Sequence, residues 1–320
     1  MSKLSAWITP ENDLKRKTIA IGFTVLIAIL FTLLCIYWVG DYGFALFVIT
    51  PLFMGICPVI IYGKRKTITR GEAFGIASLT LLFYFIAMIC FAIEGLICLI
   101  MALPLAFIVL WLGSLIGHEI ITKKPKGGAP TIIAFLFLIP VFSFVEKDST
   151  PSVTSVTTFI DIDASSEVVW ENVVEFPQLK EPTEFIFQTG VAYPINARIK
   201  GTGVGAIRYC NFTTGSFVEP ITVWNKPKLL AFDVLEQPEP MKEISFWDID
   251  APHLHDYFVS KKGQFKLIAL PNGKTRLEGT TWYYHRIKPE FYWKMWSNHI
   301  IHAIHDRVLE HIKENSERAD

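Results

Sequence analysis

Apolar and polar positions divide this chain in two. From Ile19 to Val145 it is a series of long apolar runs separated by short basic loops, and from Lys147 to Asp320 apolar and polar positions mix as in a water-soluble α+β domain. A helix rises about 1.5 Å per residue and a bilayer core is roughly 30 Å thick, so about 20 apolar residues suffice to cross. Ile19–Trp38 meets that length and follows Lys15, Arg16 and Lys17. The run is too long for a signal peptide and ends in Tyr37-Trp38 rather than small residues, so it reads as a retained anchor. Tyr42–Tyr62 is a second span, with Pro51 and Pro58 tolerated as kinks. Ala73–Gly117 is too long for one helix and is divided at Glu94-Gly95 into a helical hairpin, with spans near 73–93 and 96–117. A fifth span near 131–145 is short and holds Pro140. The first 146 residues therefore read as an all-α membrane bundle of about five transmembrane helices. Glu94 falls in the turn between two full spans, at headgroup level.

The second half changes period. Val153–Ile162 is rich in Val, Thr and Ile and reads as a strand. Ser165 or Ser166 can cap a short helix with Glu167 in its first turn and Val169, Trp170, Val173 and Val174 as its apolar face. Strand-like runs follow at 192–200, 205–213, 217–224 and 229–235, then at 264–270 and 275–287, the last two joined by the turn Pro271-Asn272-Gly273. A long helix from Pro289 to about Asn315 closes the chain. Trp293, Trp296, Ile300, Ala303, Ile304 and Val308 share one face of it. Phe265, Leu267 and Ala269 share one strand face, as do Leu277, Thr281, Tyr283 and His285.

Charge sets the orientation. Lys64, Arg65, Lys66 and Arg70 follow span two and Lys123, Lys124 and Lys126 follow span four, whereas the loops at Asp41 and Glu94 carry no basic residue. Basic loops stay in the cytoplasm, so the N-terminus is expected there, and five crossings put the second half outside it, in a protein of the bacterial inner (cytoplasmic) membrane. If Thr131–Phe144 does not cross, that half is cytoplasmic instead. The 30 basic and 30 acidic residues balance overall, but bases predominate before Lys147 and acids after it. An acidic second half without a Lys/Arg cluster argues against nucleic acid as a partner. Cys35, Cys57, Cys90 and Cys98 lie in apolar runs and Cys210 is alone in the second half, so no disulfide framework or zinc spacing is present there.

The stretch Ile160-Asp161-Ile162-Asp163-Ala164-Ser165-Ser166-Glu167-Val168-Val169-Trp170 resembles the opening of the helix-grip superfamily. That superfamily, also called SRPBCC, includes START lipid-transfer domains and polyketide cyclase/dehydrase-like proteins. Later elements are similar too: Gly203-Val204-Gly205 leading to Arg208, Trp224-Asn225-Lys226-Pro227 before Leu229-Leu230-Ala231-Phe232, and Gly263-Gln264-Phe265-Lys266-Leu267 before Asn272-Gly273-Lys274-Thr275-Arg276-Leu277. The resemblance covers about Val153–Glu314 and rests on the order of elements as much as on any motif; it places a helix-grip domain at 152–316. It implies a curved antiparallel sheet gripping the C-terminal helix, with an apolar cavity between them. The lining residues it implies are Arg208, Phe265, Leu267, Tyr283 and His285 from the sheet, and Trp293, Trp296, Ile300 and Ile304 from the helix. The simplest family members are soluble, and the membrane half departs from them.

Candidate chemistry is sparse. His299, His302 and Asp306 fall on one helix face with His305 nearby, but that face lies opposite the Trp and Ile stripe and is expected to meet solvent, so no metal is assigned. His285 is the best-placed weak candidate for acid–base work, with Tyr283 on the same strand face. His255, in the segment Glu236–Ser260, is the other; that segment reads as a lid, a surface dipping into the membrane, or a loop packed on its own domain. Arg208 is suited to holding an anionic head group, or is a surface residue of its strand. Asn211-Phe212-Thr213 is a glycosylation sequon within a strand. No nucleophile elbow, metalloprotease, phosphate-loop or dinucleotide motif occurs, and no cofactor is implied.

The expectation is a membrane-anchored helix-grip domain that binds a hydrophobic or lipid-like molecule at the bilayer surface. The alternatives are a cyclase, dehydratase or hydrolase acting on an apolar substrate, and a membrane sensor or assembly protein.

Overall fold

The structure is a computed structural model that describes residues 12–64, 66–123, 128–146, 150–247 and 249–318. Arg65, Lys124 and Lys126 of the basic loops lie outside the described residues, as does the 147–149 part of the linker. The chain forms two compact units. The first comprises residues 1–150 with the returning segments Ser245–Pro252 and Ile287–Tyr292; the second holds Pro151–Ile244, His253–Arg286 and 293–320.

In the first unit, α1 (Asp13–Leu33) runs on as a π-helical stretch, Leu34–Val39. α2 (Thr50–Gly63) is preceded by a second such stretch, Ala45–Ile49. α3 (Arg70–Cys90), α4 (Leu96–Lys123) and α5 (Gly128–Glu146) follow. Counting the π-helical stretches with α1 and α2, as Asp13–Val39 and Ala45–Gly63, five helices among the described residues are long and apolar enough to cross a membrane. The expected split near Glu94 falls between α3 and α4. The fifth helix is longer than the run 131–145, reaching 19 residues with Pro140 inside it. One absent proline N–H does not end a helix whose remaining backbone groups are paired.

Local chemistry sets the helix starts. Asn12 accepts the Lys15 N–H at 3.1 Å at the head of α1. Thr69 and Glu72 form a reciprocal capping box on α3, at 2.8 and 3.2 Å. α2 is central, with 78% of its best apolar window buried against 39% or less in each of the other four. It packs on α4 through glycines: a Cβ built on Gly55 would lie 2.4 Å from the Leu110 carbonyl oxygen, and one on Gly113 2.6 Å from that of Leu52. With dispersion in place of a hydrophobic driving force, such backbone contact is a principal source of helix association in lipid. The Thr32 and Tyr84 hydroxyls pair at 2.5 Å between α1 and α3, so neither is left unsatisfied.

Acidic groups gather in the turns at the other end from the basic loops. Asp41 is buried and accepts from Ser143 Oγ at 3.3 Å, Phe44 N–H donates to Glu146 at 2.9 Å, and Tyr42 OH donates to Glu94 at 2.9 Å. Lys288 joins them from the returning segment, its N–H donating to the Tyr42 carbonyl at 2.8 Å and its Nζ lying 4.0 Å from Glu146. Burial pushes the Asp41 carboxyl up to about 6, reinforced by Glu146 and opposed by Lys288 and Ser143.

The second unit is built on seven antiparallel strands: β1 (Thr154–Ile162), β2 (Pro194–Lys200), β3 (Ile207–Phe212), β4 (Gly215–Asn225), β5 (Leu229–Asp233), β6 (Phe258–Ala269) and β7 (Thr275–His285). Their order is β1-β7-β6-β5-β4-β3-β2. Register shifts at Pro194/Asn196, Ile221/Val223 and Ser260/Lys262 curl the sheet. Two short helices, α6 (Ser166–Val174) and α7 (Phe185–Gln188), precede β2, and the long α8 (Glu290–Arg318) ends the chain. The main core joins Ile162, Trp170, Val173, Leu230, Leu277 and Leu309 with their neighbours. A curled sheet with a long C-terminal helix is the helix-grip arrangement.

Three local expectations need correction. Ser165 occupies the cap position of α6, but its side chain makes no capping hydrogen bond. Ser166 Oγ instead pairs with Thr275 Oγ1 at 3.1 Å. The sixth strand begins at Phe258 rather than near Gln264, because the bulge at Ser260/Lys262 lets the polar run Ser260-Lys261-Lys262 stay in register with β7. The end of the long segment 236–260 is therefore strand. The remainder of its second-unit part is tied down by Val218 N–H to the Glu236 carbonyl at 3.0 Å and Lys242 N–H to that of Gly190 at 2.9 Å.

Candidate functional site

Strand alternation decides what faces α8. Pairing sets Arg208 opposite Glu219 and Cys210 opposite Phe217 across β3 and β4, Phe232 opposite Gly263 across β5 and β6, and Gly263 opposite Thr281 across β6 and β7. These residues lie on one face of the sheet, and with Ile300, Ile304 and His305 of α8 they line an open-mouthed cavity of about 140 Å³. The segment Gln237–Pro240 forms another wall. It is pinned by Gln237, which donates to the Phe258 carbonyl at 2.6 Å and accepts the Ser260 N–H at 2.8 Å, as a strand partner would. Gly263 is required here, since a Cβ would lie 2.6 Å from the Phe232 ring. Glycine in a strand interior is the sequence signature of such a close approach.

The lining is mostly apolar, with one ion pair set into it. The Arg208 and Glu219 side chains are 2% and 7% exposed and bond directly. Arg208 Nε also donates to the Val174 carbonyl at 3.3 Å. Its guanidinium lies 5.4–5.5 Å from the ring centres of Phe176, Phe232 and Phe265. A cation taken from water is stabilised by the electron-rich ring faces as well as by the carboxylate. Burial acts against the Arg208 charge, but Glu219 and Cys210 together oppose it and the guanidinium is held more firmly protonated. Burial pushes the adjacent Cys210 thiol up to about 12, with Glu219 acting in the same sense. That thiol is a small apolar wall group, not a nucleophile.

His305 is the other polar feature. Its Nδ1 lies 3.0 Å from Thr158 Oγ1 and its Nε2 2.8 Å from Thr281 Oγ1. Burial, helped by His302, lowers its pKa to about 4, so the ring is neutral at pH 7. It therefore braces α8 against β1 and β7, with both ring nitrogens engaged.

The expected site residues separate into two groups. Arg208, Phe265, Ile300 and Ile304 line the cavity. Leu267 packs in the main core. Tyr283 is buried beside Val156 and Ile301, donates to Asn298 Oδ1 at 2.7 Å and stacks on His285. Neither it nor His285 is among the lining residues, and the same holds for Trp293 and Trp296. His255 is exposed. His299, His302 and Asp306 are exposed as expected, but His305 belongs to the inward stripe with Ile301 and Leu309, one turn to either side. Asn211 of the sequon bonds Asn196 at 2.6 Å within the β2–β3 pair. Glu219, Cys210 and Phe232 are lining residues that periodicity alone did not single out.

No protein-family model and no curated protein matches the chain. Among solved structures, the second half is similar to norcoclaurine synthase from Thalictrum flavum, determined in complex with dopamine and hydroxybenzaldehyde, at 13% identity and a TM-score of 0.36 over 53% of this chain and 90% of that one. A protein from Nitrosospira multiformis gives 16% identity and a TM-score of 0.33 over 50% and 94%. The protein XoxI from Bacillus cereus gives 13% and 0.32 over 50% and 94%.

Proposed function

We propose that this protein is a membrane-anchored binding module, in which the helix-grip unit takes up a small hydrophobic molecule that partitions into the bilayer. The observation that carries the reading is the cavity between the curled sheet and α8, walled by Phe176, Phe232, Phe265, Ile300 and Ile304. An apolar cavity of roughly 150 Å³ holds a ring the size of benzene, so the part of the ligand it takes in is ring-sized. Arg208 and Glu219 neutralise each other, and together they present donors and an acceptor. That favours a neutral hydroxyl or carbonyl group on the ligand over a free anion. The five apolar helices support the anchoring. Five crossings with the basic loops inside would put the helix-grip unit outside the cytoplasm of a bacterial inner membrane. Tethering keeps the pocket beside the phase in which such a ligand concentrates.

The test is native mass spectrometry of the full chain purified in mild detergent, with solvent extraction of whatever is bound. A discrete apolar compound, lost in Ile304→Trp but kept in His285→Ala, supports binding. An empty protein that also takes up nothing from a panel of small hydroxylated hydrophobes overturns it.

A further inference from the structure

We propose that the groove between the start of α3 and the end of α4 is a binding site for the headgroup phosphate of an anionic phospholipid, an inference that rests on the reading that these helices span a bilayer. The groove is about 480 Å³ and is lined by Arg70, Leu115, Ile116, Glu119, Ile120 and Lys123. Glu119 sits between the two cations, 3.2 Å from Arg70 Nη2 and 2.7 Å from Lys123 Nζ. Two bases on one acid leave the mouth of the groove with a net positive charge. The Arg70 and Lys123 side chains are 70% and 74% exposed, so Glu119 orients both heads without burying them. Exposed pairs of this kind are weak and are readily shared with a second anion.

Below the charges the walls turn apolar. Ile120 and Ile116 lie about one and two turns along α4 from Lys123, roughly 5 and 10 Å at the rise of a helix. Charged head above apolar wall is the order in which a phospholipid presents phosphate and acyl chain, and free phosphate would leave the apolar wall uncovered. The end of the bundle is basic beyond the groove too: Arg16 donates to the Lys64 carbonyl at 3.3 Å, and Lys66 pairs with Asp13 at 2.7 Å. A zwitterionic lipid would bring its own ammonium group against Arg70 and Lys123; an anionic one brings none.

The experiment uses the delipidated full chain in detergent, exposed to equal phosphatidylglycerol and phosphatidylcholine, with adducts counted by native mass spectrometry. Each basic side chain near a lipid surface contributes about fivefold in affinity, so Arg70→Gln/Lys123→Gln should lower phosphatidylglycerol retention roughly 30-fold and leave phosphatidylcholine unchanged. Glu119→Gln should raise phosphatidylglycerol retention severalfold, the opposite of what a purely structural ion-pair network gives. Equal retention of the two lipids by the native chain, a fall in Glu119→Gln, or displacement of the lipid by millimolar inorganic phosphate would overturn the proposal. Resistance of the chain to alkaline extraction from membranes is read in parallel. A chain that resists extraction but shows no lipid preference sinks this inference alone, and one that is extracted sinks the membrane reading beneath it.

Discussion

Glu219→Leu removes the partner of a guanidinium that is 2% exposed and enclosed by three phenylalanine rings. The stranded cation, almost wholly removed from solvent, loses its direct carboxylate bond, while the Val174 carbonyl stays as a weaker partner. Breaking a buried pair on one side costs about 3–5 kcal/mol. A domain of this size has about 5–15 kcal/mol in total. For the second unit, about 160 residues, each kcal/mol moves the unfolding midpoint by about 2–4 °C, so a fall of roughly 6–20 °C is expected. Arg208→Met/Glu219→Leu replaces both charges with apolar groups of similar reach and should recover most of that loss. The cation–π contribution, up to about 2 kcal/mol, is the part it does not recover. Thermal unfolding of the full chain in detergent, followed by hydrogen exchange in β3 and β4 peptides, measures both variants. A single variant that loses less than 2 °C, or a double variant no better than the single, would refute the claim that this pair is desolvated and mutually dependent. The double variant should also lose preference for hydroxylated over plain hydrocarbon ligands, because the donors and acceptor are gone.

Three further outcomes follow from the same geometry. Gly55→Ala or Gly113→Ala forces α2 and α4 apart and should cost about 1–3 kcal/mol, read as a lower aggregation temperature in detergent; Gly75→Ala, with nothing within 4 Å of its Cβ, should be silent. His305 has its folded pKa lowered to about 4, so its contribution to stability is complete above about 6.5 and is lost as pH falls toward 4; His305→Gln should flatten that part of the stability profile. Asp41 has its folded pKa raised to about 6, so the folded state binds its proton more tightly and stability is lost as pH rises from about 4 through 6. Asp41→Asn should therefore raise the unfolding temperature at pH 8 and leave it unchanged at pH 4.

Much of the fold was legible because it is carried by period. Long apolar runs gave all five helices, and alternation along residues such as Phe265 and Leu267 placed most strands within a few positions. Boundaries slipped where local composition hid the rule, as in β6, whose polar start follows the register of its partner rather than its own residues. The site was less legible. Arg208 was singled out for an anionic head group, but its pairing with Glu219 depends on the β3–β4 register, which no single strand encodes. His305 was noted only as a neighbour of His299, His302 and Asp306; that it turns inward with Ile301 and Leu309, beside Ile300 and Ile304, depends on how α8 is rotated against the sheet. Gly113 and Gly117 carry a readable small-residue spacing, but only the partner at Gly55 shows what it is for.

The pairing of β1 with β7 sets a schedule for making this protein. Thr154 faces Tyr283 and Ile162 faces Thr275, so the first strand of the helix-grip unit waits for the last. At about 5–20 residues per second a ribosome needs roughly 6–26 s to deliver the about 130 residues that separate Thr154 from its partner. Through that interval β1 is an unsatisfied edge, rich in Val, Thr and Ile, emerging directly behind the apolar helices. Its pairing partner in the sheet is β7. β1 therefore stays an open edge from the synthesis of Ile162 until that of Thr275, and closing the sheet is a late step in making this unit.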